Sequence, residues 1–212
     1  MLNIKNLKCG YGDIIAVQNI SMNLKAGETL ALTGPNGSGK TTFVMTVAGH
    51  IPQINGDISF FEKDITLFSP MKRCLEGISL VPEGRRVFPD LTVYENLLIG
   101  GISIPDIEFK NQLKNVYDIF PRLYEREKQL AGSLSGGEQQ MLAIGRAIMQ
   151  KPKIMLVDEL SLGLMPKIVN ECYNALEKLV SEGISLILID QNSDMSRSFC
   201  DRSINLDSGY VS

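Results

Sequence analysis

The sequence predicts an α/β fold built on a mainly parallel sheet. Two observations carry this. Apolar runs of strand length alternate with segments of helical periodicity. Four of the runs, ETLALTG (28–34), GISLVPE (77–83), KIMLVDE (153–159) and SLILID (185–190), each end in a polar or glycine-rich corner. Ligands collect beyond the carboxyl ends of the strands in open α/β sheets, so these four corners are expected to converge. With 212 residues the chain fits a single domain that buries well over half of its unfolded surface.

Taken in order, the first 25 residues and GDISFFEKDI (56–65) read as strands of a separate antiparallel sheet. The segment TTFVMTVAGH reads as a helix following a glycine-rich turn. From Gly84 to Gln150 the pattern is helical with no strong strand. The expected organisation is therefore one domain over 1–212 with a helical subdomain inserted at about 84–150. Within it, a helix from about Gly136 to Met149 has Met141, Leu142, Ile144 and Ile148 as buried candidates. A later helix starts at Pro166, a favoured first helical residue, and carries Ile168, Cys172, Leu176 and Leu179 on one face before Gly183 ends it.

Composition narrows the function. A net charge of −3, from 21 basic and 24 acidic residues mixed along the chain, gives no electrostatic case for nucleic acid as a partner. The start, MLNIKNLKCG, lacks the basic-then-apolar pattern of a secretion signal, and no window reaches the apolar length of a bilayer span, so the chain is read as cytoplasmic. Cys9, Cys74, Cys172 and Cys200 show no CxxC spacing and read as plain thiols.

The strongest chemical signal is GPNGSGKTT. Gly34, Pro35, Asn36, Gly37, Ser38, Gly39, Lys40, Thr41 and Thr42 fill every position of the phosphate-loop pattern GxxxxGK[ST], between a strand and a helical segment. Glycines let backbone N–H groups turn inward around phosphates, Lys40 reaches the β- and γ-phosphates, and the Thr41 hydroxyl serves Mg²⁺. The second signal is the strand end KIMLVDE, which suits Asp158 as a Mg²⁺ ligand and Glu159 as the residue that polarises the attacking water. The third is LSGGEQQMLAIGRA, in which Ser135, Gly136, Gly137 and Glu138 open a helix whose N–H groups form an anion site. A second phosphate-binding surface on a chain that already has one suggests nucleotides held between two chains.

With these motifs in this order the sequence resembles the ATP-binding cassette (ABC) ATPases, P-loop proteins with a parallel-sheet core, an antiparallel β subdomain and a helical subdomain. The resemblance implies ATP and Mg²⁺ as cofactors, a dimer that closes two ATPs between the phosphate loop of one subunit and the LSGGE signature of the other, and a membrane permease as partner. It places Tyr11 against adenine and Val17 near the base and ribose, and makes Ser161 to Leu164 the stretch that crosses to the other subunit. Leu160 stands where the family usually has proline. Glu83, in LVPEGRRVFPDLT, corresponds to the switch glutamine and remains able to ligate Mg²⁺. Arg85, Arg86 and Phe88 are expected near the face that receives the permease, with Phe88 as an apolar anchor.

The position usually filled by a histidine at the γ-phosphate corresponds to Gln191, in ILIDQNSDM. An amide still donates a hydrogen bond to phosphate but brings no imidazolium charge. The single histidine, His50, reads as a helix-end residue with no catalytic role. Together PEGRRVFPDLTVYENL, DELSLGLMP and DQN are most similar to the second ATP-binding subunit of branched-chain (hydrophobic) amino acid importers and its relatives in urea and short-amide uptake. That likeness implies a heterodimer with a histidine-bearing ATPase, a homodimer being the other arrangement, held peripherally on the inner face of the membrane. The competing readings are a non-transport ABC-type ATPase, a regulatory nucleotide sensor, and a small GTPase or nucleotide kinase. The last is opposed by the absence of NKxD and the presence of LSGGE.

Overall fold

The computed structural model describes residues 1–190 and 193–211. In chain order its elements are β1 (Leu2–Tyr11), β2 (Ile14–Leu24), β3 (Thr29–Thr33), α1 (Lys40–Val47), β4 (Gln53–Phe60), β5 (Lys63–Asp64), α2 (Pro70–Glu76), β6 (Ile78–Val81) and α3 (Val93–Gly100). They continue with α4 (Asp106–Ile119), α5 (Pro121–Glu125), α6 (Gly136–Ile148), β7 (Ile154–Asp158), α7 (Pro166–Ser181), β8 (Ser185–Ile189), α8 (Ser193–Phe199), β9 (Arg202–Asp207) and β10 (Tyr210–Val211).

The four apolar runs become β3, β6, β7 and β8, joined by β9 in a parallel core with the order β9-β3-β8-β7-β6. All residues of β3, β7 and β8 are buried. Along β7, Met155 and Val157 pack into one apolar core, while Ile154 and Leu156 pack into the other. Leu186 and Leu188 of β8 divide from Ile187 and Ile189 in the same way. A strand covered on both faces has no polar side, and so reads as a continuous apolar run rather than an alternation.

On one face lie α6, α7 and the helical region between residues 84 and 150; on the other lie α1 and the antiparallel strands. The expected apolar face of α6 is buried, with Leu142, Ile144 and Ile148 fully enclosed and Met141 2% exposed. Its start is fixed locally: Ser135 and Glu138 form a capping box that satisfies two of the helix's free N–H groups. Thr92 and Glu95 do the same for α3.

The antiparallel pairings β5-β4-β1-β2 are present, but the expectation of a separate sheet is corrected. Strand β10 pairs with β2 through Tyr210 and Asn19 and with β9 antiparallel, so all ten strands form one continuous order. Strand β9 alternates Ile204 and Leu206 with polar residues but offers only these two apolar positions, and β10 is two residues long, so neither stands out as an apolar run.

Arg73 anchors the far end of α1. Only 2% exposed, it donates from Nη1 to the carbonyls of Thr46 (2.8 Å) and Val47 (2.9 Å), from Nη2 to Thr66 (2.7 Å) and from Nε to Phe68 (3.2 Å). It thereby satisfies the last carbonyls of the helix that the phosphate loop opens. Arg73→Met leaves four carbonyls without this donor and is expected to lower stability by about 3–5 kcal/mol. The measurement is the urea unfolding midpoint; a change within error of wild type would show that the carbonyls find other partners.

Candidate functional site

The phosphate loop occupies the turn between β3 and α1 at the carboxyl edge of the sheet. Three glycines carry its shape, with Gly34 at φ 140°, Gly37 at 80° and Gly39 at 104°. Gly34 and Gly39 are also places of close approach: a Cβ on Gly34 would lie 2.0 Å from the Leu206 carbonyl oxygen, and one on Gly39 2.5 Å from that of Ala16. Lys40, 7% exposed, turns its ammonium into the loop and donates to the carbonyls of Gly34 (2.9 Å) and Pro35 (2.8 Å). Asn36, Gly37, Gly39, Lys40, Thr41, Thr42, Glu83 and Glu159 line one open cleft, and Ala16 closes its side. Gly34 and Pro35 line an adjoining hollow with Lys40, Glu159 and Asp190. Ser38 is buried, and its hydroxyl has no partner among the described residues.

Convergence of the strand ends brings the acids here. Asp158 pairs across from Ile189, and Val157 lies between Val81 and Leu188, so β6, β7 and β8 present their ends side by side. Asp158 is 1% exposed and its Oδ1 has no partner among the described residues. Burial raises its pKa above the ordinary carboxylate value and the Glu83 charge adds to the rise, while the Thr41 hydroxyl and the Lys40 ammonium pull it back. Glu159 also has a buried oxygen, Oε2, without a partner among the described residues. Its pKa is raised first by burial, then by Asp158, Asp190 and Glu83, against the opposing pull of Lys40. Its backbone sits at φ 55°, a left-handed conformation for a residue with a Cβ, and its N–H donates to the Ile189 carbonyl at 2.9 Å.

Buried carboxylate oxygens without donors suit a hard cation or a water held for reaction, because either would supply the missing partner. No group of three His, Cys, Asp or Glu residues among the described residues could hold a metal by itself. A cation here would be held by Asp158 and Thr41, with Glu83 near, and would complete its shell with phosphate oxygens and water.

The signature lies apart. None of Ser135, Gly136, Gly137 and Glu138 lines the cleft of its own chain. Ser135 donates from its N–H and hydroxyl to the Glu138 carboxylate, at 2.9 and 2.8 Å, and Arg126 Nε donates to the other Glu138 oxygen at 2.5 Å. Burial opposes the Glu138 charge, but the Ser135 bonds and Arg126 hold the carboxyl below its usual range. The Arg85 guanidinium lies against Gly136, 2.8 Å from where a Cβ would stand, and Ile168 lies as close to Gly137. Nothing in the spacing of the sequence announces either contact.

Other expectations fall unevenly. Tyr11 ends β1, is 56% exposed and does not line the cleft. Val17 is fully buried beneath Gly39 of the phosphate loop, and it is neighbouring Ala16 that lines the cleft. Gln191 lies outside the described residues. Phe88 is 41% exposed, with the Arg146 guanidinium 4.5 Å above its ring, a stacked position rather than a free one. His50, Met71, Arg85, Arg86 and Arg146 line one groove.

A glycine loop with an inward lysine, a buried aspartate beside a threonine hydroxyl, and a poised glutamate define a nucleoside-triphosphate hydrolase. A family model described as ABC transporter matches residues 17–161. The chain is 41% identical over 211 residues to the high-affinity branched-chain amino acid transport ATP-binding protein BraG of Pseudomonas aeruginosa, covering 100% of this chain and 91% of that one. It is 32% identical to the probable branched-chain amino acid transport ATP-binding protein LivF of Archaeoglobus fulgidus, covering 100% and 90%. A bacterial ABC transporter cassette solved in dimeric form is 25% identical with a TM-score of 0.88, covering 100% and 96%. The chain belongs to the ABC transporter family, as a subunit that binds and hydrolyses ATP. The non-transport readings are not favoured by these relatives.

Proposed function

We propose that this protein powers a membrane importer for branched-chain amino acids or related small amides, working at the cytoplasmic face of the membrane. The observation that carries the mechanism is the separation of the signature from a cleft at which Asp158 and Glu159 each keep one carboxylate oxygen without a partner among the described residues. Each chain then supplies half of two sites. Lys40 and the amides of Gly34 to Thr42 bind the phosphates of ATP, with Tyr11 as the adenine contact. Ser135, Gly136 and Gly137 of a second chain meet the γ-phosphate, with Glu138 holding Ser135 in place. Asp158 and Thr41 hold Mg²⁺, which neutralises phosphate charge when bound, and Glu83 lies within its reach. Glu159 orients the water that attacks the γ-phosphate, and Gln191 donates a hydrogen bond to it.

The substrate class rests on the 41% identity to BraG over the whole chain. The partners that follow are permease subunits and a second ATPase. The groove beside Met71, 58% exposed, lined also by Arg85, Arg86 and the Arg146 that stacks on Phe88, is suited to an apolar helix of the permease with an acidic end. Residues at about 84–150 form the helical subdomain of this single cassette; they carry the signature and contribute Arg85, Arg86 and Arg146 to that groove.

The test is the mass in solution, by light scattering, of Glu159→Gln with and without Mg-ATP. A variant that binds ATP but stays monomeric, and pairs only with a histidine-bearing ATPase, is the expected result for a heterodimer. Dimerisation of the variant alone would establish a symmetric pair of Gln191 sites instead. Failure to associate with any permease would overturn the transport assignment.

A further inference from the structure

One buried carboxylate near the site has no role in binding or attack. Asp190, 4% exposed, stands directly after β8 and lines the hollow behind the phosphate loop together with Lys40 and Glu159. It accepts a hydrogen bond from the hydroxyl of Tyr173 at 2.8 Å and another from the hydroxyl of Ser161. Tyr173 is a buried residue of α7, 4% exposed, and its ring packs edge-on against Phe199 of α8. The network thus reaches from the rigid interior to Ser161, two residues beyond Glu159.

We infer that Asp190 is a positioning residue for ATP hydrolysis, fixing through Ser161 the loop that carries Glu159 and faces the second chain. Three consecutive residues hold this loop, each by a different means. Glu159 is tied by its N–H to Ile189, Leu160 by complete burial, and Ser161 by the Asp190 carboxylate. Glu159 needs such restraint because its left-handed backbone is costly for a side chain with a Cβ, and nearby structure must over-determine it. A carboxylate is well suited to this position because it accepts from two hydroxyls at once, whereas a buried charge without such donors would be strongly unfavourable. Tyr173 fixes the carboxylate, the carboxylate fixes Ser161, and Ser161 fixes the segment that begins at the catalytic glutamate.

This inference rests on Glu159 acting on the attacking water. The experiment is steady-state ATP hydrolysis and ATP affinity of the full chain in its transporter complex, comparing wild type, Glu159→Gln, Ser161→Ala, Asp190→Ala, Asp190→Asn and the Ser161→Ala/Asp190→Ala pair. Ser161→Ala is expected to lower kcat by about tenfold while KM for ATP stays within about twofold, since the fault is in placing the base. Asp190→Ala should act alike, and the pair should be no worse than Asp190→Ala alone, because both changes break one link. Asp190→Asn, which can accept from Tyr173 and donate to Ser161, should recover part of the loss. Ser161→Ala at the wild-type kcat, or multiplying effects in the pair, would overturn the inference while leaving the reading of the site intact. Should Asp190→Ala not fold, Ser161→Ala and Asp190→Asn decide alone. An inert wild type, or Glu159→Gln at the wild-type rate, would overturn the reading of the site and this inference with it.

Discussion

Glu159→Gln is expected to abolish nearly all ATP hydrolysis, by about 10²–10⁴-fold, while nucleotide binding persists. Glutamine has nearly the same shape but neither the charge nor the proton affinity of a carboxylate held in a partly buried site. The groups expected to bind the phosphates, Lys40 and the loop amides, are untouched. Binding should even tighten modestly, because Glu159 stands among the like charges of Asp158, Asp190 and Glu83, and its removal relieves repulsion toward phosphate. The two quantities to measure are phosphate release at saturating ATP and the Kd of a fluorescent ATP analogue. Wild-type release would remove Glu159 from the role of base. Gln191→Ala, assayed alongside, is expected to do less harm, since it removes one neutral hydrogen bond rather than the charge that acts on water.

Gly34→Ala is expected to be the most damaging single methyl in the phosphate loop. Its Cβ would stand 2.0 Å from the backbone oxygen of Leu206 and 3.0 Å from Ser38 Oγ, at a φ of 140° that side chains rarely adopt. Neither β9 nor the loop can yield without disturbing the parallel pairing of Leu30–Thr33 with Arg202–Asn205 that leads into them. A loss of about 3 kcal/mol in stability, and a fall in ATP affinity of about tenfold or more, are the expected results. Gly37→Ala is the control: at φ 80° it is strained, but nothing lies within 4 Å of the new methyl. It should cost about 1–2 kcal/mol and change affinity less. Urea unfolding and nucleotide titration of the two variants separate backbone strain from collision, and equal effects at both positions would show that collision plays no part.

Much of the candidate site is legible in the chain. The phosphate loop is contiguous, and its expected chemistry follows from backbone amides and one lysine over nine residues, so adjacency along the chain already provides the geometry. The same holds for Ser135 and Glu138, whose capping box needs only a three-residue spacing at a helix start. Asp158 and Glu159 stand out because an all-buried strand ending in two acids has few structural uses. Tyr11 and Gln191 rest on family resemblance alone. Tyr11 is seen outside the cleft lining, and Gln191 falls beyond the described residues.

Whatever lies within one strand, one turn or one helix is written in the sequence alone: the apolar runs that make the parallel core, the glycines of the loop, the helix caps, and the chemistry of the motifs. The remainder was settled by tertiary packing. It turned Val17 into the core and Ala16 toward the cleft, laid Arg85 against Gly136, and closed β9 and β10 between two sheets that pattern alone kept apart. It also joined Ser161 to Asp190 and Tyr173. These pairings link residues remote in sequence, and local periodicity carries no information about which distant groups meet. That choice is made when two apolar faces are buried at once and the polar groups left between them must find partners.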